Sequence, residues 1–541
     1  MAAFAIGLIL LTFGTTRAEE LTVAVIATTD IHGCIYPYDY EEDKPDEVGL
    51  AKAATVIKRL RERYPNHLLL DGGDILQGTP LVDYYNIHKP SEPNPVVVAM
   101  NSLGYDAVAV GNHDFDYGLD VLRKAVRDSK FAWLSCNVLR EDTGEHEFKP
   151  YLDRDVNGVP IRVIGVVTPS LTKWVEPDCY RRLKVTGVVE SVKRTLDQAR
   201  GPRVTVAICH TEAGPARPTR ASSDPLDTGF FRVAALGGID AVVGAHTHQE
   251  ISSRLVNAAI VMQPKSRAQS VGLIELRLAR DRDTWRVVGK KSWTEPVEKV
   301  EPDASVMKLI QVQHRETLRY LDEVIARSTA EVGLTDGLAR DNGVIDLIHQ
   351  VQLRYTHADI SFASVLSTRA VIPKGDVKIR TIYAIYPYEN RLYTVSMTGE
   401  QVRKYLEYAA SFFGQYGGDR RLVDENKPAY NFDTAEGLSY VLDVGKPRGA
   451  RVSELTIRGK ELDPAKVYRV AVNSYRAQGG GGYLDAIGDV KVLSRTDKRI
   501  RDLLIEYLRS RKVFCAQATG NWRIVPPEAA DRILKEAPAQ H

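Results

Sequence analysis

Five times in the first half of this chain, a short apolar, β-branched run stops abruptly at Asp, Asn or His beside a small residue. Residues 21–29 end in Asp30-Ile31-His32-Gly33, residues 67–70 in Asp71-Gly72-Gly73-Asp74, and residues 107–110 in Gly111-Asn112-His113-Asp114. Residues 204–208 lead into Cys209-His210, and residues 241–243 into Gly244-Ala245-His246-Thr247-His248. Runs of this length and composition read as buried strands. Parallel sheets gather their ligands beyond the carboxyl ends of strands. The pattern therefore predicts that Asp30, His32, Asp74, Asn112, His210, His246 and His248 meet in one place.

Helical patterns separate these runs. Residues 48–64 place Val48, Ala51, Ala54, Val56, Ile57 and Leu60 on one face with basic residues between, and 188–199 read the same way. Strand and helix in alternation predict an α/β fold. A chain of 541 residues is too long for one core, so more than one domain is expected. The first is assigned to 21–296. Val306, Leu309, Ile310, Leu321, Val324 and Ile325 recur mostly at three- and four-residue spacing, which predicts one long connecting helix over 303–327. A second α/β domain follows over 335–527. It has a helix at 344–355, strands at 392–397 and 467–472 around a helix at 401–410, and loops at 412–427 and at the glycine run 479–483.

Seven nitrogen and oxygen ligands without a thiolate are too many for one tetrahedral zinc. They suit two divalent cations about 3.5–4 Å apart that share a carboxylate. Asp74 is the natural bridge, since a carboxylate has two oxygens. Mixed carboxylate, amide and imidazole donors suit Mn, Fe, Co or Zn alike. His113 adjoins Asn112, and Asp116 follows three residues later. An imidazole held by a carboxylate in this way is a ready proton donor.

The formal net charge of +2 gives no reason to expect a nucleic-acid duplex or an anionic membrane as partner. No internal run is long enough to span a bilayer. Residues 2–13 are almost continuously apolar, and small residues lead to Ala18. This reads as a secretory signal over 1–18, although no Lys or Arg precedes the apolar run. The protein is expected to be exported, to the periplasm or the medium, and monomeric. Cys34, Cys136, Cys179, Cys209 and Cys515 form no CxxC, and their odd number argues against a disulfide framework.

Asp30-x-His32, Gly73-Asp74, Gly111-Asn112-His113-Asp114, His210 and Gly244-x-His246-x-His248 resemble the calcineurin-like metallophosphoesterase signature. Tyr386-Pro387-Tyr388-Glu389-Asn390, Tyr430-Asn431-Phe432-Asp433, and Asn473-Ser474-Tyr475-Arg476 with the glycine run resemble the C-terminal domain of 5′-nucleotidases. The resemblance implies an N-terminal αββα sandwich joined to a nucleotide-binding domain. It implies one metal on Asp30, His32, Asp74 and His248, and another on Asp74, Asn112, His210 and His246. It implies His113 with Asp116 as the catalytic dyad. It also implies Phe432 and Tyr483 as an aromatic pair that sandwiches a nucleobase, with Asn431 beside them.

Within that family the chain is similar to the 2′,3′-cyclic-nucleotide 2′-phosphodiesterase/3′-nucleotidase branch. Tyr38-Asp39-Tyr40 follows the first ligand block, Tyr386 to Asn390 replaces a Pro-Phe-Gly-Asn type, and Tyr483 follows four glycines. Leu366-Ser367-Thr368-Arg369 stands where 5′-nucleotidases carry Gly-Gly-Gly-x-Arg, and Asn521-Trp522-Arg523 suits the cyclic-nucleotide branch. The implied reaction opens a 2′,3′-cyclic nucleotide to a 3′-nucleotide and then releases phosphate and a nucleoside. The alternative enzyme is a 5′-nucleotidase or nucleotide-sugar hydrolase. The alternative of another class is a non-catalytic binding protein on the same fold, against which the intact ligand set argues.

Overall fold

The computed structural model describes residues 19–198, 203–214, 229–282, 284–418, 421–424 and 429–537. Residues 1–18, read as an export signal, lie outside the described residues, as do 419–420 and 425–427 of the expected loop.

Two six-stranded sheets build the first domain. The first runs, in spatial order, Thr284–Pro296, Ser270–Asp281, Glu20–Thr28, His67–Asp71, Ala107–Ala109, Ala132–Leu134. Its last four strands are parallel. The second runs Ile251–Val256, Ala259–Gln263, Ala241–Gly244, Val204–His210, Val159–Val167, Tyr151–Val156, with a parallel centre and antiparallel edges. Alternation along Glu20–Thr28 shows how the layers form. Val23, Val25 and Ala27 join Ile161, Val163, Val206 and Ile208 in the core between the sheets. Ala24 and Ile26 belong to the core under the helix Leu50–Arg63, with Ala54 and Ile57. From Val23 to Ala27 neither face of the strand meets water, and this stretch is apolar throughout. The helices Val188–Asp197 and Phe230–Ala234 cover the second sheet, completing the αββα sandwich. All five ligand-bearing runs are strands. Three end at the carboxyl edge of the first sheet and two at that of the second.

The connecting helix is shorter than expected. It spans Ala304–Leu321, and Val324–Ser328 is instead a strand. That strand pairs with Gly375–Lys378 and Val513–Phe514 of the second domain. The apolar pair Val324-Ile325 continues the helical spacing but is β-branched, and so short a run carries no periodicity that separates helix from strand. Tyr36, which precedes the Tyr38-Asp39-Tyr40 run, stacks on His314 of the connecting helix with ring centroids 3.9 Å apart. Tyr40 completes the contact through its hydroxyl, 2.9 Å from His314 Nδ1.

A five-stranded sheet organises the second domain, in the order Asp433–Glu436, Ile360–Ser364, Val467–Asn473, Arg391–Thr398, Lys491–Arg499. Thr398 and Gln401 form a capping box at the start of the helix Gly399–Ala410. The glycine run, expected as a loop, is a 3₁₀ turn over Gly480–Gly482 that runs into the helix Tyr483–Ile487.

Asp303 caps the connecting helix. Its Oδ1 accepts from the N–H groups of Ser305 and Val306, each at 3.1 Å, and Oδ2 accepts from Lys58 at 2.5 Å. Burial pushes this carboxyl up, but Lys58 and the helix N–H groups outweigh it and hold it at about 2. Asp303→Ala is expected to cost about 1 kcal/mol of stability. The folded-state value is depressed, so the loss should be complete above about pH 4 and shrink as pH falls toward 2. Thermal unfolding of variant and parent across that range checks it.

Candidate metal centre

Asp30, His32 and His248 each place one donor atom within 4.8 Å of the others, and Asp74, His210 and His246 do the same. Asn112 joins the second group, its Oδ1 3.1 Å from His210 Nε2. All seven expected ligands therefore stand together. His210 Nδ1 lies 2.9 Å from the Gly72 carbonyl, and His32 Nδ1 lies 3.0 Å from the Gln77 carbonyl. A carbonyl can only accept, so in both rings Nδ1 carries a proton and Nε2 is turned inward. His32 Nε2 meets His248 Nε2 at 3.0 Å, and burial pulls the His32 imidazole down to about 4. His210 Nε2 meets Asp74 Oδ2 at 3.0 Å as well as Asn112 Oδ1; burial pulls this imidazole down, but Asp74 outweighs it and raises it to about 9. Asn112 Nδ2 is buried without a partner, so its amide is oriented by what its oxygen faces. Carboxylate, amide and imidazole groups that converge in this way fit two divalent ions. Cys34 and Cys209 are buried, Cys34 beside Arg267 and Cys209 in an apolar cluster, and both stand outside the two groups. All five cysteines are free.

Five of these ligands have left-handed backbones: Asp30 and His32 at φ 48°, Asp74 and His248 at 57°, and His246 at 73°. Such conformations cost about 1 kcal/mol or more and persist only where their surroundings over-determine them. Here the backbone supplies that constraint. Asp30 N–H donates to the Gly73 carbonyl at 3.0 Å, His32 N–H to the Asp74 carbonyl at 2.9 Å, and His246 N–H to Asp30 Oδ1 at 3.0 Å. Asp114, which sequence reasoning left without a role, fastens two of the strand ends together. Its carboxylate accepts from the N–H groups of Gly111, Asp74, Ile75 and Leu76 at 2.8–3.1 Å. Gly111 admits no side chain, since a Cβ there would lie 2.1 Å from Asp74 Oδ1.

His113 Nδ1 and Asp116 Oδ2 are 2.7 Å apart. The His113 side chain is 38% exposed, so its Nε2 is open to a substrate. Burial pulls this imidazole down, but Asp116 and Asp74 outweigh it and raise it to about 10. Burial likewise pushes the Asp74 carboxyl up, and His210, His113 and His32 reverse this to keep it ionised. Glu212 and Trp174 were not anticipated. Glu212 Oε1 is 3.0 Å from His246 Nε2, the outer-shell partner that a ligating imidazole ordinarily has. Trp174 stacks on the His246 ring with centroids 5.2 Å apart.

The expected base sandwich is not open. Phe432 and Tyr483 are both fully buried. Phe432 packs against Phe413 and Trp522, and Tyr483 against Tyr405 and Tyr408. Tyr483 OH donates to the Asn431 carbonyl at 2.9 Å, and Asn431 is half-buried. Aromatics bury readily because they remove large apolar area from water. The accessible rings are those beside them: Tyr388 is exposed, and Tyr430 and Tyr475 are half-buried. Tyr388 and Tyr430 meet edge to face at 6.1 Å. Tyr475 lies on the backbone of Gly480, where a Cβ would fall 2.4 Å from its ring. Its helix, Ser474–Ala477, packs on the helix Leu171–Trp174 that carries Trp174.

Asp74→Asn removes the one charge shared by the convergent acceptors of the second group. Metal affinity should fall more than the roughly 10–100-fold seen for outer-shell changes, with turnover lost alongside. Elemental analysis of the purified variant checks this, and two equivalents of retained metal with full activity would contradict the assignment.

Both halves of the chain match known families. Residues 23–250 match the calcineurin-like phosphoesterases, and residues 324–489 match the 5′-nucleotidase C-terminal domain. A 2′,3′-cyclic-nucleotide 2′-phosphodiesterase/3′-nucleotidase of Yersinia enterocolitica is 27% identical over 96% of this chain and 90% of its own length. The trifunctional nucleotide phosphoesterase YfkN of Bacillus subtilis is 29% identical over 94% of this chain, which spans 39% of that relative. A Staphylococcus aureus structure assigned as a 5′-nucleotidase shares the fold, with a TM-score of 0.81 at 24% identity over 93% of this chain and 100% of that one. The chain thus belongs to the calcineurin-like phosphoesterase family, among those members that carry a 5′-nucleotidase C-terminal domain.

Proposed function

We propose that this phosphoric ester hydrolase opens 2′,3′-cyclic nucleotides to 3′-nucleotides and then hydrolyses these to nucleoside and phosphate. The observation that carries the reading is the convergence of imidazoles, an amide and carboxylates beside an accessible His–Asp pair. The His113 and His32 rings lie edge to face, 5.6 Å apart. Asp30, His32, His248 and Asp74 would hold one cation, and Asp74, Asn112, His210 and His246 the other, with Asp74 as the bridge. Bound there, two divalent cations supply Lewis acidity and a water of lowered pKa. The names of the Yersinia and Bacillus relatives support the substrate class.

The chain's own residues do the rest. Asp116 accepts a hydrogen bond from His113 Nδ1–H and stabilises the imidazolium, whose Nε2–H then protonates the departing ribose oxygen. The 2′-oxygen leaves in the first hydrolysis and the 3′-oxygen in the second. Both substrates carry phosphorus on the same edge of the ribose, so one base pocket serves both. We assign that pocket to the rings of Tyr430 and Tyr475 with Tyr388 beside them, because these keep accessible surface and adjoin the helix carrying Trp174. The apolar run at 2–13 supports export.

His113→Ala should slow hydrolysis of 3′-AMP by roughly 10²–10⁴ while metal stays bound. The loss should be smaller for a p-nitrophenyl ester, whose leaving group needs no proton. Equal losses on both esters would remove the general-acid role.

Base stacking contributes roughly 1–3 kcal/mol per base, so Tyr430→Ala and Tyr475→Ala should each raise KM for 2′,3′-cAMP about 5- to 100-fold. Bis(p-nitrophenyl) phosphate, which has no base, should be little affected. Steady-state kinetics on 2′,3′-cAMP, 3′-AMP and 5′-AMP test the whole reading: faster turnover of 5′-AMP than of either other nucleotide would overturn it.

A further inference from the structure

Asp83 lies outside the metal centre, yet it joins that centre to the tyrosine cluster. It sits on the helix Pro80–His88, immediately after the segment whose Gln77 carbonyl orients His32. Its carboxylate is 2% exposed and fully engaged. Oδ1 accepts from Tyr117 OH at 3.0 Å and from Arg499 Nη1 at 2.6 Å. Oδ2 accepts from Arg501 Nη1 at 3.2 Å and from Tyr383 OH. Three of these four donors belong to the second domain.

The two arginines pass the constraint on. Arg501 is 1% exposed. It donates to the carbonyls of Tyr386 and Pro387, each at 3.1 Å, and to the Glu389 carboxylate. Arg499 donates to Glu389 as well. Every residue flanking Tyr388 on the segment 386–389 is thereby tied to a guanidinium that Asp83 holds. Of the other ion pairs that cross between the domains, Arg495–Asp178 and Arg380–Asp43 each have a carboxylate 46% exposed, where solvent screens the attraction, and Arg495–Glu176 is long at 3.9 Å, although Tyr393 also holds Glu176. The Asp83 cluster is dry and strongly directional.

We propose that Asp83 is a positioning residue for nucleotide recognition: it fixes where Tyr388 and its neighbouring tyrosines stand relative to the metal centre. The inference rests on the assignment of that cluster as the base pocket. Asp83 touches neither substrate nor metal, so its effect falls on KM for substrates that carry a base.

The test uses the full-length, metal-loaded enzyme. Asp83→Asn keeps the shape but removes the charge between the arginines and replaces one of the two acceptor oxygens by a donor NH2. KM for 2′,3′-cAMP should rise roughly tenfold, while kcat/KM for bis(p-nitrophenyl) phosphate changes less than about twofold. In a Tyr388→Ala background, Asp83→Asn should raise KM no further, because its effect passes through the segment that carries Tyr388. Glu389→Gln, at the far end of the network, should reproduce the split and stands in if Asp83→Asn does not fold. Equal losses on both substrates, or additive effects in the double variant, would overturn the proposal. If Tyr430→Ala and Tyr475→Ala raise KM but Asp83→Asn and Glu389→Gln do not, the pocket stands and the positioning role falls. If the tyrosine variants leave KM unchanged, the pocket assignment fails and the proposal with it.

Discussion

The site depends first on one buried carboxylate. Asp114 accepts four backbone N–H groups from two loops, 74–76 and the one that opens at Gly111. These loops end neighbouring parallel strands and present Asp74 and Asn112. Burial and the adjacent Asp74 charge raise the Asp114 carboxyl to about 6, against the pull of the N–H groups. Two anions so close in a dry interior repel strongly. The N–H donors offset part of that repulsion, and divalent cations on the convergent candidate ligands would offset more. The strained backbones of Asp30, His32, Asp74, His246 and His248 persist because this framework leaves them no alternative.

A second set of buried charges joins the domains. Removing Asp83, Glu389, Arg499 and Arg501 from water carries a desolvation cost that ion pairing only partly returns. What such a cluster adds is a fixed geometry. Apolar packing between the connecting helix and its neighbours tolerates small slips, whereas a carboxylate gripped by two guanidiniums and two tyrosine hydroxyls does not. The tyrosine cluster proposed as the base pocket and the candidate metal ligands lie hundreds of residues apart in sequence. Rigid polar contacts would let them act on one nucleotide.

The places where expectation and structure part have a common cause. Residues 324–327 continue the helical spacing of the connecting helix, but Val324–Ser328 found strand partners at Gly375–Lys378 and Val513–Phe514, which local sequence does not reveal. Phe432 and Tyr483 adjoin a glycine-rich, ligand-like stretch and still went to the core. Tyr430 and Tyr475, two residues before Phe432 and one before Arg476, kept the accessible faces. The Arg476–Asp433 ion pair at 2.8 Å lies in the buried interior between them. Which ring of such a cluster turns outward is settled by tertiary packing.

By itself the sequence determined the α/β class, the five strand ends, the seven candidate ligands and the pairing of His113 with Asp116. Each of these is local: an apolar run fixes a strand, and the polar residue at its end follows along the chain. The partition of those ends between two facing sheets, the Asp114 clamp, the Glu212 contact to His246 and the Asp83 network needed the tertiary structure. Each brings together groups from separate elements, and their chemistry appears only once burial has removed the water that would otherwise satisfy them.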